Sequence, residues 1–193
     1  MITLEQLLQS RDNRAQHQRD LLESHPGKCL LCLTVQLPGS IKRNEDSLKI
    51  AEAGVQAVRQ AFEPLYEELR DLETGYEGYF LVADDALDAK RRTCQIEDTH
   101  PLGRLMDIDV LTVIPGIGEI IFRDGTRKTN FPEAIANPTH ADAGPISREA
   151  IGLPQRRCLL CDRPARECMR ARTHSVPELL DKIHEMLNSY FNL

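Results

Sequence analysis

Leucines at helical spacing predict a helix at each end of the chain. Thr3 followed by Gln6 forms a capping box, in which each side chain bonds to the backbone of the other residue. The leucines that follow predict one helix, or two short ones, ending before Pro26. Ser175 and Glu178 form a second capping box, and the apolar positions after them predict a terminal amphipathic helix.

A long apolar stripe in the first half of the chain predicts a further helix. Asn44 is a suitable N-cap, and apolar residues then recur every three or four positions from Leu48 to Leu72. Pro64 is expected to kink or divide this helix, because proline lacks the N–H of the helical hydrogen bond. Gly75 is expected to end it.

Shorter apolar runs predict β-strands. They lie at residues 28–37, 76–83, 93–98 and 119–123. Residues 84–92 are expected to form a short helix. The turn-like residues 115–118 predict a hairpin, and residues 124–148, rich in Pro, Asn, Thr, Asp and Gly, predict a long loop.

The segment from His100 to Val113 carries two acidic residues on a predicted strand. Asp107 and Asp109 alternate with apolar positions, so both carboxylates point to one face. Acidic residues are depleted from strands and are rarely buried unless they are paired or bind a metal. The pattern therefore predicts a Mg²⁺ site for phosphoryl or nucleotidyl transfer, and a solvated edge strand with an acidic outer face is the alternative.

Helices and strands interleave without a regular βαβ repeat. This order predicts an α/β (α+β) fold with a mixed sheet flanked by helices. A chain of 193 residues is most simply one domain, here residues 1–193. We treat residues 156–193, rich in Cys and His, as a C-terminal appendage of that domain.

The net charge, hydropathy and cysteine content of the chain argue against several classes of function. The net charge of −6 argues against a general nucleic-acid binder, which usually has a basic field. No apolar run approaches the roughly 20 residues of a membrane-spanning helix, and the polar N-terminus is unlike a signal peptide. Six cysteines fit thiols or a metal site in a reducing cytoplasm better than a disulfide framework. We therefore expect a cytoplasmic protein with no nucleic-acid or membrane partner.

A second cluster of chemistry lies near the C-terminus. It holds four residues of types that bind zinc, namely Cys158, Cys161, Cys168 and His174. A Cys-x-x-Cys turn aims two thiolates at one ion, so a structural Zn²⁺ site is predicted, with partly buried small residues as the alternative. The other such pair, Cys29 and Cys32, lies in an apolar strand and is expected to be core.

Arginines crowd this segment of an otherwise acidic chain. They are Arg156, Arg157, Arg163, Arg166, Arg170 and Arg172. A solvated basic face is one explanation. The other is a polyphosphate substrate, because the guanidinium fork matches phosphate geometry, and Lys42, Arg43 and Arg104 are candidates to join it.

Two long motifs resemble one family closely. They are His100-Pro-Leu-Gly-Arg-Leu-x-Asp-Ile-Asp-Val110 and Arg157-Cys-Leu-Leu-Cys-x6-Cys-x-Arg-x3-His174, with the turn Pro38-Gly-x-Ile-Lys42 in addition. The family is the citrate lyase holo-acyl-carrier-protein synthases, also called apo-citrate lyase phosphoribosyl-dephospho-CoA transferases. The chain departs from the family in a longer stretch at 115–151. It also has Gly103-Arg104 where many nucleotidyltransferases have Gly-Ser before the carboxylates.

The resemblance implies a nucleotidyltransferase-like fold and reaction. A serine of the citrate lyase acyl carrier protein (the gamma subunit) would attack the triphosphate of the phosphoribosyl-dephospho-CoA precursor and release pyrophosphate. Asp107 and Asp109 would hold Mg²⁺, and Glu97, on the predicted strand before them, would be a third ligand or the base. The expected substrate-binding residues are Lys42, Arg43, His100, Gly103, Arg104 and Arg157. His100 has an alternative role as a turn residue before proline.

Two rival functions remain open at this point. A non-enzymatic, zinc-stabilised adaptor that docks the carrier protein would keep the Cys/His cluster but would not need Asp107 and Asp109. A phosphodiesterase or other hydrolase would use the same carboxylates and release its product into water without a protein acceptor.

Overall fold

A computed structural model describes residues 2–112, 120–121, 127–128 and 145–192. The helices are α1 (Leu4–Ser24), α2 (Glu45–Ala61), α3 (Ala86–Thr99), α4 (Ala165–Ala171) and α5 (Val176–Phe191). The strands are β1 (Cys29–Val35), β2 (Tyr66–Leu72), β3 (Gly75–Val82), β4 (Met106–Thr112), β5 (Ile120–Ile121) and β6 (Arg127–Lys128). Short 3-10 turns lie at Gly103–Leu105 and Glu149–Ile151.

Side chains that cap helices set where the main helices begin. Thr3 starts α1 and Ser175 starts α5, each through the predicted capping box. Asn44 starts α2 and accepts the backbone N–H of Ser47 at 2.8 Å. The first helix is continuous from Leu4 to Ser24, so of the two predicted alternatives the single helix is the one that forms.

The sheet has the strand order β2-β3-β1-β4. The predicted mixed sheet is antiparallel in each of its three pairings. Strand β1 is central, and β4 pairs with it so that Asp107 lies opposite Thr34 and Asp109 opposite Cys32. Strand β4 therefore forms one edge of this sheet and carries both aspartates on one face.

Both faces of the sheet are covered by helices. Leu21 and Leu22 of α1 pack on the face that holds Leu30, Cys32 and Tyr79. The opposite face packs against α2, α3 and α5 in the larger core, whose buried members include Leu31, Leu33, Ile50, Val58, Ile108, Ile183 and Leu187. The pair Cys29 and Cys32 is buried, as predicted. The α/β (α+β) class is confirmed.

Two predicted elements are wrong. The helix expected to run through Leu72 ends at Ala61, because Pro64 follows and residues 66–72 pair with β3 as β2. The strand expected at 93–98 is the second half of α3. Strand β5 lies within the strand predicted at 119–123 and pairs with β6. The predicted turn at 115–118 and most of the loop at 124–148 lie outside the described residues.

Candidate active site

Asp107 is held at the mouth of a cleft by two neighbours. Its Oδ1 accepts Nη1 of Arg156 at 3.3 Å, and its Oδ2 accepts Nε2 of Gln36 at 3.2 Å. Its side chain is 38% exposed, so ligand oxygens and water can still reach it. The carboxylate is thus oriented without being enclosed.

Asp109 lies deeper on the same strand face and is partly buried. No hydrogen-bond donor among the described residues reaches its carboxylate. Burial, and then repulsion from Asp107, raise the pKa of Asp109 to about 6. Two carboxylates that repel each other beside a cleft have the chemistry of a divalent-cation site, since a cation relieves both the repulsion and the burial.

These two residues would supply a small part of a metal's coordination shell. Over the described residues, no third carboxylate, imidazole or thiol joins Asp107 and Asp109 at ligand distance. Mg²⁺ is commonly held in this way, by one or two carboxylates together with substrate phosphates and water. The donor set therefore fits Mg²⁺ bound with a phosphorylated substrate.

Glu97 lies on α3, not on a strand as predicted, and its two oxygens are both engaged. Oε1 accepts the backbone N–H of Ile108 at 2.9 Å, and Oε2 accepts Nη1 of Arg148 at 3.2 Å. The residue is 1% exposed. Arg148 also binds Asp98. Glu97 thus ties α3 to the outer edge of β4 at Ile108, the residue that lies between the two aspartates in sequence.

Arg156 closes the same edge from the C-terminal segment. Its Nη2 donates to the carbonyl of Met106 at 2.6 Å and more weakly to those of Gly103 and Arg104 at 3.3 and 3.4 Å. With its bond to Asp107, this arginine fixes the start of β4. The sequence pattern placed it among the arginines of the C-terminal run but did not assign it to the site.

The cleft in front of the aspartates has a volume of about 1070 Å³ and a strongly cationic wall. The basic residues that line it are Lys42, Lys90, Arg104, Arg148, Arg156, Arg157, Arg166 and Arg172. Burial lowers the pKa of Lys42, and burial followed by repulsion from Arg156 lowers the pKa of Arg104. Crowded, partly desolvated cations of this kind favour a polyanionic ligand.

The predicted substrate-binding residues divide into two groups. Lys42, Arg104 and Arg157 line the cleft. Arg43 does not: it forms a two-pronged ion pair with Asp71, at 2.7 and 2.8 Å. The structure brings the first three together and turns Arg43 toward β2.

His100 and Gly103 shape the turn between α3 and β4. The Nδ1 of His100 accepts the N–H of Leu102 at 3.1 Å, and its ring packs on Tyr190. A Cβ on Gly103 would lie 2.7 Å from the carbonyl oxygen of Glu97 and closer still to that of Ile96. Glycine is therefore required here for the close approach of this turn to α3. These contacts support the turn role that was the alternative for His100.

A polar group on the α1 side of the aspartates was not predicted from the sequence. A smaller cavity of about 360 Å³ is lined there by both aspartates, Thr34, Arg14 and Glu77. Glu77 is 4% exposed, pairs with Arg14 at 3.5 Å and accepts the hydroxyl of Tyr79. Residues 76–82 show no polar–apolar alternation that would have indicated it, because Glu77 comes to the same face as Asp107 only through the strand register across β1.

The Cys/His cluster assembles as predicted. The donor atoms of Cys158, Cys161, Cys168 and His174 all lie within 4.8 Å of one another, a group that could hold a metal ion such as zinc. All six cysteines are free thiols.

No helix in the described part of the chain is both long enough and apolar enough to cross a bilayer.

Known proteins resemble the chain over nearly its whole length. The family model described as apo-citrate lyase phosphoribosyl-dephospho-CoA transferase matches residues 2–127 and 138–190. A protein of Escherichia coli O1:K1 / APEC with that name is 34% identical over 192 residues, covering 97% of this chain and 89% of the relative. One of Streptococcus pyogenes serotype M18, named "Probable apo-citrate lyase phosphoribosyl-dephospho-CoA transferase", is 33% identical over 194 residues, covering 99% and 88%.

Proposed function

The chain belongs to the apo-citrate lyase phosphoribosyl-dephospho-CoA transferase family, and from that premise we propose its reaction. A serine of the citrate lyase acyl carrier protein accepts the phosphoribosyl-dephospho-CoA group from its triphosphate precursor, and pyrophosphate is released. The chain is an enzyme, a transferase, and the non-enzymatic adaptor is not favoured.

The observation that supports this chemistry is the pair of aspartates facing a cationic cleft. Asp107 and Asp109 would hold Mg²⁺, which when bound neutralises phosphate charge and supports both attack and departure at phosphorus. Lys42, Arg104 and Arg157 would bind the triphosphate, as the sequence predicted. Lys90 would add to them, since it is 5% exposed and lines the cleft, and its charge partly offsets the burial and the repulsion from Asp107 that raise the pKa of Asp109.

The contacts of the remaining predicted residues suggest a role for each of them. Glu97 has both oxygens occupied behind the edge of β4, so we assign it to positioning; its role as ligand or base stays a prediction. Gly103 and His100 would act by shaping the turn that presents the aspartates. Arg43 would act from outside the cleft, through β2.

We propose a single domain that includes residues 156–193. Ile183 and Leu187 of α5 are buried in the main core, and Arg156 bonds to β4, so this segment completes the cleft rather than standing apart. Its location would be the cytoplasm, where free thiols persist. The acyl carrier protein and the triphosphate precursor would be its partners, with no nucleic acid or membrane.

Intact-mass spectrometry of the apo acyl carrier protein tests the proposal. Incubation with enzyme, Mg²⁺ and the triphosphate precursor is expected to add the mass of the phosphoribosyl-dephospho-CoA group and to release one pyrophosphate. Asp107→Asn and Asp109→Asn should abolish both products. Asp88→Asn, which changes an exposed aspartate on α3, should leave them unchanged.

Two results would refute it. No adduct with folded, metal-replete enzyme would remove the transferase function for this substrate. Pyrophosphate or another product formed without any acceptor modification would point to the hydrolase. An adduct that persists in both aspartate variants would leave the function standing but place the site elsewhere.

A further inference from the structure

The Cys/His cluster has no role in the transfer reaction as proposed above, although Cys158, Cys168 and His174 line the same cleft. We propose that Cys158, Cys161, Cys168 and His174 bind one zinc ion, and that this ion positions Arg156 on the active-site strand. The first half stands on the cluster alone. The second half rests on the proposed function, because it gives the metal a role in shaping the triphosphate cleft.

Two of the donor–donor distances are close to those of a tetrahedral zinc site. The sulfurs of Cys161 and Cys168 are 3.5 Å apart, and Nε2 of His174 is 3.3 Å from the sulfur of Cys161. With Zn–S and Zn–N bonds of about 2.3 and 2.0–2.1 Å, a tetrahedral ion separates two sulfurs by about 3.8 Å and a sulfur and a nitrogen by about 3.6 Å. Three thiolates and an imidazole fill the shell with soft donors, which select zinc over Mg²⁺.

The backbone brings the four donors together within one short segment. The N–H of Cys158 donates to the carbonyl of Arg163 at 2.7 Å, closing the turn that carries Cys158 and Cys161. Cys168 lies on α4, and Arg172, which follows the last residue of that helix, is in the left-handed conformation (φ 48°). The N–H of Thr173 then donates to the carbonyl of Cys168 at 3.0 Å and returns the chain toward the cluster at His174.

A metal is needed because this segment has almost no core of its own. From residue 156 to 175, Cys168 is the only buried residue. Helix α4 has seven residues, well below the roughly 12–15 at which an isolated helix becomes even marginally stable. Structural zinc commonly supplies folding free energy to segments of this kind.

Arg156 is joined directly to this segment. Its carbonyl accepts the N–H of Ala165 at 2.8 Å, at the start of α4, and its guanidinium bonds to Met106 and Asp107 of β4. The zinc-bearing turn is thus one hydrogen bond away from the residue that orients an active-site carboxylate. Loss of the ion is expected to loosen Arg156, and with it the cationic wall of the cleft.

The competing chemistry is a disulfide between Cys161 and Cys168, whose sulfurs are neighbours. It would need an oxidant and would leave Cys158 and His174 without a function. Metal content, free-thiol titration and the absorption spectrum of the Co²⁺-substituted protein separate the two cases. We expect one zinc per chain as purified and, with Co²⁺, the charge-transfer and d–d bands of a thiolate-rich tetrahedral site.

Matched variants test the ligand assignment. Cys161→Ser and His174→Gln should each lower zinc affinity at least tenfold. Cys94→Ala, at a buried thiol outside the cluster, and His184→Gln, at an exposed histidine on α5, should retain one zinc. A folded wild-type chain that takes up no zinc, or a disulfide in its place, would overturn the site. So would full zinc occupancy in the Cys161→Ser/His174→Gln double variant.

Thermal unfolding tests the link to Arg156 without relying on activity. Arg156→Met should lower Tm in zinc-loaded protein and have much less effect in the Cys161→Ser background, where the side chain is already loose. Equal decreases in both backgrounds would refute the link while leaving the zinc site intact. In transfer assays, zinc removal should raise KM for the triphosphate at least fivefold. If zinc-loaded enzyme forms no adduct at all, the proposed function fails and the metal result stands by itself.

Discussion

Asp109 is predicted to be an active-site residue whose charge destabilises the fold. Its pKa rises from 3.8 to about 6, because burial and the neighbouring Asp107 both disfavour the ionised form. A shift of this size corresponds to at most about 3 kcal/mol, and contact with solvent reduces it, so we expect about 1–3 kcal/mol. Asp109→Asn removes the charge and keeps the shape of the side chain. The variant should therefore be inactive and more stable than the wild type.

The sign of the pH dependence follows from the direction of the shift. The folded state binds the proton more tightly than the unfolded state, so wild-type stability falls as pH rises from about 4 to about 6. At pH 8 without divalent metal, Asp109→Asn should unfold about 2–12 °C higher than the wild type. The difference should vanish near pH 4. Millimolar Mg²⁺ should raise the Tm of the wild type and not that of the variant.

Asp107→Asn is the matched control on the same strand. It relieves the same repulsion but gives up the contacts with Arg156 and Gln36, so its stability should change by less than about 1 kcal/mol. Calorimetry or fluorescence-dye melting at pH 4, 6 and 8 measures all three proteins. If Asp109→Asn is less stable than the wild type at pH 8, or if its advantage is independent of pH, the reasoning is refuted.

Three further predictions concern α3 and its contact with β4. Glu97→Ala should lower the unfolding free energy by about 3 kcal/mol, since it leaves the N–H of Ile108 unpaired and weakens a buried ion pair. Glu97→Gln should lower the unfolding free energy by less than Glu97→Ala does, and its activity should fall only in proportion to the amount of folded protein. If Tm is unchanged and activity falls more than a thousandfold, Glu97 is catalytic instead. Gly103→Ala should destabilise by about 1–3 kcal/mol because its Cβ meets backbone oxygens, and a melt identical to the wild type would contradict this. Lys90→Met should raise KM for the triphosphate strongly and lower Tm only slightly. Steady-state kinetics and melting curves of the same protein measure the two effects.

Local pattern was sufficient for the parts of the fold that carry a regular signal. Both capping boxes, the buried strand β1 and the aspartate-bearing strand β4 were predicted, because capping geometry and side-chain alternation act over a few residues. The Cys/His cluster was predicted for the same reason: all four residues lie within one short segment.

The misassigned elements are those whose structure is set by distant partners. The buried positions of α3 include Lys90, Thr93 and Glu97, so the spacing of apolar residues does not reveal which face of this helix is buried. Lys90 and Glu97 on that face bond to β4 and line the cleft. In β2, residues with good helix propensity form a strand because β3 offers a backbone partner, and this tertiary pairing outweighs local preference.

The residues of the predicted site also divide into those in short local motifs and those whose positions depend on distant partners. Asp107, Asp109 and the cluster are short-range motifs, whereas Glu77 and Arg156 join the site through sheet register and through a segment about fifty residues away. Their positions depend on the whole fold. Arg43 illustrates the opposite error, since it lies beside Lys42 in sequence but its side chain binds Asp71.

Side chains and the backbone N–H of Ile146 occupy the outer edge of β4, where another strand would otherwise bind. Glu97 and Lys90 bond to the N–H and the carbonyl of Ile108, Arg156 bonds to the carbonyl of Met106, and the backbone N–H of Ile146 donates to that of Val110. An uncovered edge strand is a template on which a second chain can add, which leads to aggregation. The residues that hold β4 in place therefore also prevent it from pairing with a second chain. Replacing Glu97 should expose that template. The variant is therefore expected to lose more activity at higher protein concentration, as chains pair edge to edge.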